Sequence, residues 1–361
     1  MSLDPDLEAW LKLSFAAGLT NDAFRRLLAA FGGPREILAQ PRTALARHVP
    51  DRAAHAVSAA VPDELIEAVA KWLEDPSNRV ITLADAEYPK GLLDAPDPPP
   101  LLYAKGRVEL LNAPAFAIVG SRNATQQGMA QAEAFGRALS DAGYAIVSGL
   151  AAGIDAAAHR GGLAGGAGSI AVIGTGPDIV YPARNRELAH RLAQEGCIVS
   201  EFPLGTPAIP ANFPRRNRLI AGMGGGCLVV EAALSSGSLI TARLANEQGK
   251  EVFAMPGSVH SPLTKGCHSL IKQGAKLVET AEDILEELLP GAARGRPSGA
   301  ALPASEPPHP ALVHLGYDPC DFDALAARSG LPADALAALL TEWELQGLIE
   351  ALPGSRYQRI R

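Results

Sequence analysis

Residues 115–176 read AFAIVGSRNATQQGMAQAEAFGRALSDAGYAIVSGLAAGIDAAAHRGGLAGGAGSIAVIGTG. Three short apolar runs (115–121, 144–149 and 169–176) alternate with two longer stretches, 126–142 and 153–163, of helical period. Runs that are apolar on both sides are buried on both faces, and strands joined through a helix lie parallel. The alternation predicts an α/β fold with a doubly wound, Rossmann-like and mostly parallel sheet.

The pattern continues outward. Strands are expected at CIVSEF (197–202), CLVVEA (227–232), EVFAMPG (251–257) and KLVET (276–280). Helices are expected over 217–222, 238–248, 267–274 and the acidic 281–289. Upstream, RVITLADAEYP and PPPLLYAKG read as an extended lead-in and a short strand, with prolines between Pro96 and Pro100 excluding helix. Residues 77–290 therefore form one domain. Residues 1–76 are helical throughout, and their layout resembles a SAM-like helix-hairpin-helix unit, although the hairpin tripeptide Gly18-Leu19-Thr20 lacks a second glycine. Residues 291–309, rich in Pro, Ala and Gly, read as a linker. Residues 310–361 have the outline of a winged helix. Its helix from Ala333 carries Asp334, Glu342 and Glu344 and no base, which favours protein contact over reading of duplex DNA, and leaves Arg356, Arg359 and Arg361 as a weak phosphate contact.

The net charge of the 361 residues is −7, so no global basic field exists. Between Gly205 and Ala275, however, seven Lys/Arg face three Asp/Glu, which is enough for a local phosphate patch. The four cysteines lack metal-ligand or C-x-x-C spacing and read as buried hydrophobes, so no metal and no oxidising compartment is implied. Without a signal segment or a long apolar run the chain is expected in the cytoplasm and off the membrane.

Open sheets of this kind bind ligands at the carboxyl ends of their strands. Here those ends are Gly120-Ser121-Arg122, Ser148-Gly149-Leu150, Gly174-Thr175-Gly176, Glu201-Phe202-Pro203, Glu231 with the SSGS of 235–238, and Met255-Pro256-Gly257. Among them lies Phe213-Pro214-Arg215-Arg216-Asn217-Arg218. Arginines at a helix start oppose the macrodipole by about 0.3–1 kcal/mol each, so three together make sense with a polyanion bound. The expected site for a phosphate-bearing polymer is Ser121, Arg122, Arg184, Arg186, Phe213, Arg215, Arg216, Asn217, Arg218, Ser236, Gly237 and Ser238. Arginines and backbone amides would hold phosphates, and Phe213 would stack a base. Asp155 and His159, one helical turn apart, have no third ligand and read as structural, and Glu231 reads as an acceptor for loop amides. No G-x-G-x-x-G fingerprint for a dinucleotide is present, and no cofactor is implied.

AIVGSR, VSGLAAGIDAAAH, IAVIGTGPDIVYPARN, FPRRNRLIAG, VVEAALSSGSLITA, VFAMPGS and GCHSLIKQGA stand in the order found in the DprA/Smf family, which the chain resembles from about Tyr88 to Glu279. The resemblance implies a non-enzymatic protein that protects single-stranded DNA and loads a RecA-type recombinase during natural transformation. It also implies a homodimer through the α/β domain, with single-strand-binding protein as a further candidate partner. Arg122 and Phe213 through Arg218 match the family's basic pocket. Two departures stand out: Ala183 occupies the place of a common lysine, and Ala152 that of a common cation after SGLA. Two rival readings are a nucleoside-monophosphate hydrolase, whose P-G-G-x-G-T-x-x-E loop is here MGGGCLVVEAALSSGS, and a winged-helix regulator of duplex DNA.

Overall fold

The computed structural model describes residues 3–288, 312, 314–316 and 319–360. The helical unit comprises α1 (Pro5–Ser14), α2 (Asn21–Phe31), α3 (Pro34–Leu38), α4 (Arg42–Leu45), α5 (Asp51–Ser58) and α6 (Asp63–Trp72). Sequence sets its starts: the Asp4 side chain accepts from Asp6 N–H, the Thr20 hydroxyl from Ala23 N–H, and Pro34 opens α3. Trp10, Phe24, Leu27, Ile37 and Val57 form its core. A second cluster, Leu11, Val69, Leu101 and Tyr103, welds the unit to the sheet.

The α/β domain runs β1 (Asn78–Thr82), β2 (Leu101–Gly106), β3 (Ala115–Val119), α7 (Gln126–Asp141), β4 (Ala145–Ser148), α8 (Ile154–Ala164), β5 (Ser169–Val172), α9 (Arg186–Glu195) and β6 (Cys197–Ser200). It continues through α10 (Asn212–Met223), β7 (Gly226–Val229), α11 (Ser238–Glu247), β8 (Glu251–Ala254), α12 (Lys265–Lys272), β9 (Lys276–Leu277) and α13 (Ala281–Leu288). The nine strands lie in the order β1-β2-β6-β5-β4-β3-β7-β8-β9. Neighbours from β6 to β9 pair in parallel, and β1 and β2 are antiparallel additions at one edge. Separate apolar clusters cover the two faces, one around Ala117, Val147, Leu219 and Cys227, the other around Phe116, Ile118, Leu139 and Phe253. This is the mostly parallel, doubly wound sheet that the sequence predicts.

From β3 the chain steps one way across the sheet to β6, then α10 carries it back to lay β7 against the other side of β3. Ala117 pairs with Cys227 and Val119 with Val229. Between the carboxyl ends of β3 and β7 the connections diverge, which opens a crevice. The crossover helix α10 begins at Asn212, five residues before the expected start. Pro214 is no obstacle there, because the first turn of a helix has no intrahelical use for its N–H groups.

In the winged helix, β10 (Cys320–Asp321), α14 (Phe322–Ser329), α15 (Ala333–Leu345), β11 (Ile349–Leu352) and β12 (Arg356–Arg359) form a sheet of order β10-β12-β11 packed by Leu325, Leu336, Leu340 and Trp343. Gln358 Nε2 donates to Gln127 Oε1 at 3.0 Å, so β12 touches the first turn of α7. The segment expected as a linker, 291–309, and Arg361 lie outside the described residues.

Candidate nucleic-acid interface

The crevice between β3 and β7 is a cavity of about 440 Å³. Ser121, Arg122, Phe213, Arg216, Asn217, Ser236, Gly237 and Ser238 line it. Helices α10 and α11 open onto it, and neither has an acid in its first turn, so their positive ends face the space uncompensated. Asp155, in the first turn of α8, does line the cavity. Its Oδ2 accepts from Gly149 N–H (3.1 Å) and Ala151 N–H (3.3 Å), which engages it with the protein's own backbone. Burial pushes the Asp155 carboxyl up, and Arg216 pulls against that shift.

Arg122 is exposed, and its guanidinium carbon lies 5.5 Å from the centre of the Phe213 ring. On Phe213's account Gly174 has no side chain: a Cβ there would meet ring atom Cδ1 at 2.9 Å. Tyr181, 47% exposed, stands 5.4 Å from Phe213 ring to ring. Cation and two rings thus form one open cluster, the ring planes tilted by 39°. Sequence reasoning missed Tyr181, whose signal was an aromatic placed just before the basic loop. Arg184 and Arg186 continue from it and are exposed, while Asn185 between them is buried and donates to Leu150 O (2.9 Å) and Ala151 O (3.2 Å), fixing the loop.

The six residues from Phe213 to Arg218 do not act alike. Arg216 is 3% exposed, and its Nη1 donates to Gly149 O at 2.7 Å and to Val172 O. Burial lowers it to about 10, so it stays charged at neutral pH and supplies field from beneath the cavity. Asn217 Nδ2 donates to Gly237 O at 3.2 Å and ties α10 to the SSGS loop, where the Ser236 and Ser238 hydroxyls lie 2.7 Å apart. Arg215 and Arg218 turn to the other side of α10. Both reach Glu201 Oε2, Arg215 at 3.0 Å. Arg218 is buried, whereas half of the Arg215 side chain is exposed. Burial pushes the Glu201 carboxyl up and the Arg218 guanidinium down, and the attraction between the two charges opposes both shifts. Glu201 was legible only as a strand end; its partners come from a helix fourteen and seventeen residues on.

Two further titratable groups, Glu231 and His159, are engaged internally. Glu231 accepts from Thr125 N–H at 3.0 Å and from its hydroxyl at 2.7 Å, which sets the loop carrying Arg122. His159 Nε2 accepts from Leu150 N–H at 3.2 Å, so Nδ1 carries the proton and donates to Ser169 Oγ at 2.8 Å. Among the described residues no cluster of three or more His, Cys, Asp or Glu is placed to hold a metal, and no helix is long and apolar enough to cross a membrane. The four cysteines are buried and unpaired.

Residues 79–289 match the family model described as DNA recombination-mediator protein A, and 296–355 match the DprA winged helix domain. Protein Smf of Escherichia coli is 39% identical over 99% of this chain and 96% of its own length. The X-ray structure of DNA processing protein A from Streptococcus pneumoniae superposes with a TM-score of 0.69 at 35% identity, covering 80% of this chain and 99% of that one. DNA processing protein A from Helicobacter pylori, whose structure was solved for its single-stranded DNA binding mode, gives 0.54 at 30% identity over 59% and 96%. With sheet, crevice and winged helix all in place, the chain belongs to the DprA/Smf family of DNA-processing proteins.

Proposed function

We propose that this protein binds single-stranded DNA in the β3–β7 crevice and delivers it to a RecA-type recombinase. The observation that carries this reading is the open cluster of Arg122, Phe213 and Tyr181 above a cavity faced by two uncompensated helix N-termini. Stacking onto a ring is indifferent to sequence, and a guanidinium beside it meets the adjoining phosphate. A duplex hides its base faces and has no use for such a cluster. In this reading Ser121, Arg122, Arg184, Arg186, Phe213, Gly237 and the hydroxyls of Ser236 and Ser238 touch the strand, with Arg215 at one end. Arg216, Asn217 and Arg218 hold the surface in shape. In this reading the work is binding rather than catalysis, which fits the engagement of Asp155, the carboxylate lining the crevice, with backbone donors. The protein works in the cytoplasm as a homodimer through the α/β domain. The open edge strand β9, with Leu277 half exposed, supports such pairing.

The test is a titration with single- and double-stranded oligonucleotides of equal length at two ionic strengths. Single strands should bind more tightly, with a salt slope corresponding to about three to five phosphates. Equal affinity for the duplex would reject the reading. Recombinase delivery is checked by the DNA-dependent ATPase of a RecA-type protein on DNA coated with single-strand-binding protein, which should start sooner when this protein is added.

A further inference from the structure

The first turn of α10 divides two cavities. Phe213 and Pro214 line the crevice, and the next residue, Arg215, lines a second cavity of about 260 Å³ between the helical unit and the end of β6. The walls of the second cavity mix apolar side chains such as Phe15, Pro99 and Phe202 with polar groups, Ser14, Asn21 and Arg215 among them, and its one carboxylate is Glu201. Arg215 lies over the Phe202 ring, 5.4 Å from its centre, repeating on this side of Pro214 the Arg122–Phe213 pair on the other.

Glu201 is unusual among the buried acids. Its side chain is 1% exposed; Oε2 receives both arginines, and Oε1 has no hydrogen-bond donor. Buried acceptors are rarely left empty, so the oxygen points to a donor that arrives from outside. Arg215 covers this carboxylate with half of its own side chain in solvent, where a phosphate can reach it.

We propose that the second cavity takes a nucleobase bearing an exocyclic amine, from the nucleotide next to the one stacked on Phe213. The inference rests on the single-strand reading above and adds a base preference to it. The phosphate draws Arg215 aside, the amine N–H of the base donates to the vacant Glu201 Oε1, and Arg218 remains on Oε2 as counter-charge. Cytosine N4 and adenine N6 satisfy the carboxylate in this way, whereas the amine's place in thymine is taken by the O4 carbonyl, and its one donor, N3–H, is flanked by two carbonyl oxygens that a carboxylate repels. The volume lies below the range of drug-sized ligands, about 300–1,000 Å³, and the mixed lining offers Phe15 and Pro99 to the face of one planar base and polar groups to its edge.

The experiment compares oligo-dC with oligo-dT of equal length at mildly alkaline pH, by fluorescence anisotropy on the full chain. The wild type should bind oligo-dC about tenfold more tightly. Glu201→Gln should bring the oligo-dC affinity down to that for oligo-dT. Ala17→Trp, at an exposed position lining the cavity, should do the same by filling it, and leaves the charged cluster intact should Glu201→Gln fail to fold. Ala17→Trp should not move oligo-dT binding by more than about twofold. Equal affinities in the wild type, or a preference that survives Ala17→Trp, would overturn the base pocket and leave single-strand binding standing. Binding to neither oligonucleotide would overturn both.

Discussion

The Arg122 guanidinium sits over the face of Phe213, 5.5 Å from the ring centre, and Asp155, the acid that shares its cavity, is held by the N–H groups of Gly149 and Ala151. Cation and ring are therefore both available to a nucleotide. Arg122→Ala should weaken single-strand binding about equally for all sequences and lower the salt slope by about one. Phe213→Ala should cost about 1–3 kcal/mol of binding with little change in salt slope. Anisotropy titrations at two ionic strengths separate the two effects, and unchanged affinity in both variants would reject the surface.

Gly174→Ala tests the same cluster without touching it. The added Cβ meets the Phe213 ring at 2.9 Å and must push it off its seat. Binding should fall toward that of Phe213→Ala, while thermal stability drops only modestly. Full-strength binding by this variant would mean that the ring's position is immaterial.

Arg215 and Arg218 share an acceptor and differ in burial, so their alanine variants should part company. Removing Arg218 leaves a buried carboxylate without its inner partner, which costs about 3–5 kcal/mol and lowers the melting temperature on the order of 10 °C. Arg215→Ala, at a half-exposed position, should leave stability within about 1 kcal/mol and act on DNA affinity instead. Calorimetric scans of the two proteins side by side decide it.

Stability should depend on pH through His159. Its imidazole is fully buried, and burial depresses it from 6.5 to about 3. Between those values the unfolded chain binds a proton that the folded one refuses, so the contribution is complete above pH 6.5 and is lost as pH falls toward 3. Asp155, pushed up by burial, works in the opposite sense at the acid end, so the His159 share is read from a difference. Denaturant midpoints of wild type and His159→Gln should converge as the pH is lowered from 7 to 5, by up to about 1.4 kcal/mol per pH unit. Parallel curves would contradict a neutral buried imidazole.

The sheet was legible because each strand is a continuous apolar run and each carboxyl end is marked by Gly, Ser or Pro, signals that lie in consecutive residues. The crevice was legible for the same reason, since the loops that line it follow β3 and β7 directly. The division of labour within Phe213 to Arg218 was not. It depends on where α10 starts, because a 100° step per residue puts Phe213 and Asn217 on one face and Arg215 and Arg218 on another. Tyr181 lies in an irregular segment with no period to read. Glu201 gains its meaning only when α10 folds back across β6, a relation between distant residues that no local pattern carries.

The pairing of Ala117 with Cys227 has a consequence for biosynthesis. The two walls of the crevice are made about a hundred residues apart, and parallel neighbours at that separation form late, after the loop-closure cost of the intervening chain has been met. A nascent polypeptide that has left the ribosome only as far as α9 already displays Arg122, but Phe213 and the SSGS loop do not yet exist to oppose it. If the crevice holds nucleic acid as proposed, incomplete chains lack that grip until the second half of the sheet closes on the first.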